Sequence, residues 1–136
     1  MRTRPLLVAE RGTAVIEFAL VLPFMSMLMA GVLSYGIYFW RANALQEVAA
    51  GAARAAIAGV SQAERRRFVD EALDAQIPQL IGLAASDVAR TVADTGTTLT
   101  LDLRYDGSRD MMMGAGLIPL PSTVIHRRAV IRLAGL

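Results

Sequence analysis

Between Phe18 and Trp40 the chain carries no charged residue for 23 positions. As a helix this run would be roughly 35 Å long, enough to cross a ~30 Å hydrocarbon core with some tilt. Core helices of soluble proteins seldom go so long without a charge. Tyr35, Tyr38 and Trp40 crowd the far end and Arg41 follows at once, the order of an aromatic interface belt and a charged stop. Pro23 lies near the start of the run, where lipid-embedded neighbours can satisfy the freed carbonyl, and a kink is expected there. A cleaved secretory signal fits less well: the apolar core is too long, and Leu28-Met29-Ala30 is a poor small-x-small site.

The helical pattern continues past Trp40. In "RANALQEVAAGAARAAIAG" the residues Leu45, Val48, Ala49, Ala52, Ala53, Ala56 and Ile57 fall on one stripe. Small residues there let another backbone approach closely. The pattern predicts one helix from about Thr13 to about Ala58, roughly 70 Å long by its rise per residue. Ser61-Gln62-Ala63-Glu64 fits a capping box and opens a second helix. Phe68, Val69, Leu73, Ile77, Leu80 and Ile81 recur at helical spacing on its apolar face; Arg65 to Arg67, Asp70, Glu71 and Asp74 form its wet face. Pro78 is expected to end or kink that helix near Ile77.

After Ser86 the period changes from 3.6 to 2. "TLTLDLRY" alternates strictly, with Leu99, Leu101, Leu103 and Tyr105 inward and Thr100, Asp102 and Arg104 outward. Asp94-Thr95-Gly96 is a turn signal, which pairs a strand at about Val88 to Ala93 with the alternating run. Thr123 to Leu133 reads as a third strand, reached by a long Gly-, Met- and Pro-rich connection, Asp106 to Pro121. The fold class is therefore α+β: a long N-terminal helix, then a second helix on a small antiparallel sheet of about three strands. The chain divides into a leader (1–12), a transmembrane helix (13–40), its exposed continuation (41–60) and a small α+β domain (61–136). That domain is too small to be very stable alone and is expected to lean on the outer half of the long helix.

Charge fixes the orientation. The formal excess of +2 lies in the first 12 residues, where Arg2, Arg4 and Arg11 face only Glu10; the remainder is balanced. A basic balance confined to the leader argues for a cytoplasmic N-terminus and an external C-terminal portion, and against nucleic-acid binding. The mean hydropathy of +0.44 agrees with a membrane chain. There is no cysteine, so disulfides and thiolate metal sites are excluded.

One residue contradicts the apolar pattern. In "RGTAVIEFALVLPF" the carboxylate Glu17 stands at the head of the apolar run, five residues past Gly12. An acidic group near the membrane boundary is unfavourable, and such residues are functional by default. If the chain is cut after Gly12, Thr13 becomes the first residue and Glu17 the fifth. The new α-amine then lies one turn from Glu17 on the same helix face. Glu17 can neutralise that amine, or the amine of an adjacent subunit. Gly12 lets a protease approach an extended backbone closely.

This arrangement resembles type IV pilin-like precursors, and more specifically the TadE-like pseudopilins of the tight-adherence (Flp) pilus system. Gly12, Glu17, Phe18, Ala19, Leu20, Pro23 and Arg54 carry the likeness, which is strong from about Arg11 to Ala58 and architectural beyond. The residues do not separate a TadE-type from a TadF-type member; lack of a large adhesion domain disfavours a TadG-type one. The resemblance implies cleavage between Gly12 and Thr13 by a prepilin peptidase, with Glu17 and Phe18 serving processing and assembly. It implies residence in the bacterial inner membrane and a role as a minor pilin. The partners would be other pilins and the inner-membrane assembly platform, with no cofactor and no catalytic activity. The alternative is an uncleaved single-pass inner-membrane scaffold with a periplasmic accessory domain of a secretion machine.

The remaining chemistry is sparse. Arg54, among small residues, reads as a helix-packing contact or a solvated charge. His126 is the only histidine, and with no cysteine it makes a poor metal site. No acid, base and nucleophile set is suggested by spacing. "MMMGAGLIPLP", Met111 to Pro121, is apolar for a loop and reads either as a flexible partner surface or as a cover over the sheet.

Overall fold

The computed structural model describes residues 9–80, 82–83, 85–110, 113, 119 and 121–133. Leader residues 1–8, Ile81, and most of the Met111–Pro121 stretch lie outside the described residues. The elements are α1 (Ala9–Ala55), α2 (Gln62–Gln76), β1 (Val88–Asp94), β2 (Thr98–Asp106) and β3 (Val124–Arg132). The architecture is α+β, with a long apolar N-terminal helix, a second helix and a three-stranded antiparallel sheet of order β1-β2-β3.

α1 is 47 residues long and continuous through Pro23. It starts four residues earlier than the sequence predicts, because Ala9 to Arg11 already have helical backbone ahead of Gly12. Its outer half does what the small-residue stripe predicts. Leu45, Ala49, Ala52, Ala53 and Ala56 are fully buried, and short side chains bring α2 and the sheet close to the helix axis. Ile57 departs from the stripe and is 61% exposed. The helix tightens to a 3-10 turn at Ala56–Ala58, and the change from 3.6 to 3.0 residues per turn rotates Ile57 off the buried face.

Gly59 makes the sharp return into α2 possible. A Cβ there would lie 2.7 Å from both the backbone nitrogen and Cγ of Arg65. Ser61 then caps α2: its hydroxyl accepts from the Glu64 amide, while the Glu64 carboxylate accepts from the Ser61 amide. Val69, Leu73 and Ile77 are buried, with Phe68 and Leu80 only partly so. α2 stops at Gln76 and a 3-10 turn with Pro78 follows, the effect expected of a ring that cannot continue the α ladder.

The sheet is a meander with one covered face. Leu99, Leu101, Leu103 and Tyr105 alternate inward from β2, and Ile125 and Ala129 join them from β3. In register, Leu101 lies between Val92 and Ala129, and Tyr105 between Val88 and Ile125. α1 lies against β3 and β2 and also contacts α2. The β1–β2 hairpin turns at Thr95-Gly96-Thr97, where Gly96 has φ +86° and its amide donates to Asp94 Oδ1 at 2.7 Å.

The wet face expected of α2 is found, with Arg65 as its exception. Arg65 is largely buried, and its Nε donates to Asp94 Oδ2 at 2.7 Å while Nη1 reaches the carbonyls of Gly59 and Val60. Arg66 donates to the Val92 carbonyl, and Asp70 and Asp74 face Arg90 of β1. Arg66, Arg67, Glu71 and Asp74 stay exposed, and among these ties the Arg67–Glu71 pair alone joins two residues of α2, both side chains being more than half exposed. The others tie α2 to the edge strand β1, partners that lie a dozen or more residues away in sequence and are invisible to periodicity.

Candidate membrane and assembly segment

The amino-terminal half of α1 presents apolar side chains all round and buries none of them within the chain. Val15, Phe18, Leu20, Phe24, Leu28 and Val32 are each at least half exposed. Water would leave this surface strongly unfavourable, at about 25 cal/mol per Å² of apolar area. It is long and apolar enough to cross a membrane, and supports membrane anchoring. Near Pro23, the Ser26 hydroxyl donates to the Leu22 carbonyl at 2.9 Å, adding a side-chain bond to a helix that lacks the proline N–H.

Glu17 stands on this surface, exposed, with Phe18 beside it 65% exposed. Among the described residues it has no ion pair and no hydrogen-bonding side-chain partner. Gly12 and Thr13 lie inside α1, not in the extended segment the sequence suggests, and a Cβ at Gly12 would meet nothing within 4 Å. In the intact chain the Gly12–Thr13 peptide is helical, so a protease that needs extended backbone must first unwind the helix start. Cutting there would leave the new amine and Glu17 four residues apart on one face, a spacing at which opposite charges attract.

At the other end of the apolar run Arg41 is not the solvated stop that its place after Trp40 implies. Its side chain is only 6% exposed, and its guanidinium pairs with Asp110 and donates to the Tyr105 hydroxyl at 3.3 Å. The same guanidinium lies 5.7 Å from the Tyr105 ring centre, and the Tyr105 hydroxyl donates to Asp110 Oδ2 at 3.1 Å. Burial pushes the Tyr105 hydroxyl above its ordinary pKa, and the Asp110 carboxylate adds to the shift against the opposing Arg41 charge. Arg41 Nε is buried without a hydrogen-bond partner. Two further contacts lock the helix to the rest of the fold. Arg127, facing inward from β3, donates to the Ala42 carbonyl at 3.0 Å, and Gln46 donates to the Arg128 carbonyl.

Arg54 is exposed in the last turn of α1, where a cation meets the negative end of the helix dipole. His126 and Arg128 share Asp102 on the outer face of the sheet, at 3.1 and 2.7 Å. Arg128 holds the Asp102 carboxyl below the usual range. Among the described residues no three His, Cys, Asp or Glu side chains gather as a metal site. The buried Arg41 and Arg65 were missed by sequence reasoning. The one signal available for Arg41 was its position between Trp40 and a stripe of small residues that bury.

Residues 12–54 match the family model described as TadE-like protein. The match begins at Gly12, includes Glu17 and Pro23, and ends at Arg54, so it covers the apolar half of α1 and nearly all of its buried half. No curated protein and no solved structure matches the chain.

Proposed function

We propose that the chain is a pilin-like subunit of a tight-adherence pilus, held in the inner membrane by the apolar half of α1 until it is used in assembly. The observation that carries this reading is Glu17: an exposed carboxylate on an apolar helix, five residues past Gly12, inside the segment that matches the TadE-like family. A prepilin peptidase would cut between Gly12 and Thr13. The amine so formed, or that of a neighbouring subunit, would then neutralise Glu17 in the low-dielectric membrane, where an unpaired charge is costly. Phe18 would share in recognition. The arginines before the span favour a cytoplasmic N-terminus and a periplasmic C-terminal portion.

In this role the chain works by packing and not by catalysis. Its partners are the peptidase, other pilins of the same system and the inner-membrane assembly platform. The exposed Arg54 is available to contact one of them. An uncleaved membrane scaffold is the second reading, favoured by the helical backbone at Gly12–Thr13. Deleting the gene tests the proposal. Loss of surface pili and of adherence, restored by the intact gene, is the expected result; a deletion strain with undiminished pili contradicts it.

A further inference from the structure

The tertiary contacts of α1 begin below the level of Arg41. The Tyr35 hydroxyl donates to the Pro119 carbonyl at 2.8 Å. Tyr35 lies six residues before Arg41, roughly 9 Å further toward the membrane along the helix axis. Pro119 therefore lies against the apolar run, further toward the membrane than Asp110 beside Arg41. Pro119 is exposed, and the sequence from Met111 to Pro121 contains no charge.

Exposed apolar side chains above Tyr35 fix where the lipid ends. Phe39 is 57% and Trp40 45% exposed, and Asn43 is the first exposed polar residue beyond them. Arg41 is paired inside the fold and has no need of headgroup water, so it sets no boundary at its own level. Apolar surface thus extends to Trp40, about 7 Å above the level of Tyr35, whose hydroxyl meets Pro119. A bilayer that covers Phe39 and Trp40 must also reach Pro119.

We propose that Pro119 rests in the phospholipid headgroup layer, as a second membrane contact of the folded C-terminal portion. This inference rests on α1 being a membrane span. Its consequence is geometric: the folded portion is seated on the membrane with a fixed tilt and is not carried on a free stalk. The Tyr35–Pro119 bond and the Arg41–Asp110 pair set that tilt at two heights.

The absence of cysteine allows a direct test on the full chain in vesicles of phosphatidylcholine and phosphatidylglycerol. Spin labels are placed singly at Pro119→Cys, at Met25→Cys within the span and at Thr97→Cys in the hairpin turn. Thr97 lies roughly 25 Å away along β2 from the Tyr105 end of the sheet. Pro119→Cys keeps the backbone carbonyl that Tyr35 bonds. Accessibility to oxygen relative to a water-soluble nickel chelate should be several-fold higher at 119 than at 97, and lower than at 25. Tyr35→Phe should move the value at 119 toward that at 97. A label at 119 as wet as that at 97, with the label at 25 in lipid, overturns the inference while leaving the span intact. A label at 119 shielded from both reagents also overturns it, since protein would then cover the site. A wet label at 25 would instead remove the premise that α1 spans the membrane.

Discussion

Arg41 and Asp110 are 69 positions apart in sequence and form a buried ion pair at the foot of the folded portion. The pair joins the apolar run of α1 to the connection after β2, with Tyr105 completing the cluster. Removing one member leaves the other charge buried. Arg41→Ala should therefore destabilise the fold by about 3 kcal/mol. For a folded portion of this size that lowers the thermal midpoint by more than about 10 °C. Adding Asp110→Ala should cost less than the sum of the two single changes. Thermal melts of the four proteins in one detergent check this; strictly additive losses contradict a coupled pair.

Asp94 links α2 to the hairpin turn, accepting from Arg65 and from the Gly96 amide. The Arg65 guanidinium holds its carboxyl below the usual range, and Arg128 does the same for Asp102. Both groups thus bind protons more weakly folded than unfolded. Their contribution is complete above the ordinary aspartate value of about 3.9 and is lost as pH falls through the lower folded values. The thermal midpoint should fall between about pH 5 and pH 2, and Asp94→Asn should reduce that fall while lowering stability at neutral pH by about 2 kcal/mol. An unchanged acid profile in the variant would count against the Arg65 contact.

Two glycines carry different constraints. Gly59→Ala would place its Cβ 2.7 Å from the Arg65 backbone nitrogen, an atom that cannot yield without moving the start of α2. A loss of about 1–3 kcal/mol is expected. Gly96→Ala has open space but must keep φ +86°, and should cost about 1 kcal/mol. Denaturation midpoints separate the two, with Gly59→Ala lower.

The proposed processing site offers a cleaner experiment, because Gly12 has free space around its Cβ. Gly12→Leu should leave the fold intact and block cutting, read as unchanged mobility on co-expression with a prepilin peptidase. Glu17→Ala should still be cut yet be strongly depleted from sheared pilus fractions. Wild-type processing of the first variant, or wild-type recovery of the second, contradicts the assigned roles.

The parts of the fold legible in the sequence are those governed by local period. Alternation in Thr98–Tyr105 marked β2 and its buried face, since a half-covered sheet imposes a period of 2. The Ser61–Glu64 box placed the start of α2 for an equally local reason. What stayed hidden depends on distant partners. Arg41 reads as a membrane stop until Asp110 and Tyr105 are seen to enclose it, and Arg65 reads as wet until Asp94 is brought beside it. Ile57 was misplaced by extending a 3.6 period into a 3-10 turn. Gly12 suggested a boundary, yet the helix runs through it. In the candidate site, Glu17 was legible because a charge amid exposed apolar residues needs no tertiary information to be noticed.

In the proposed function Gly12 and Glu17 form a processing and assembly motif. The intact mass and N-terminal sequence of the protein isolated from membranes of its own host test it most directly. A chain that begins at Thr13 is the expected result. A chain that retains residues 1–12 contradicts it, and would leave Glu17 as a membrane carboxylate in an uncleaved anchor.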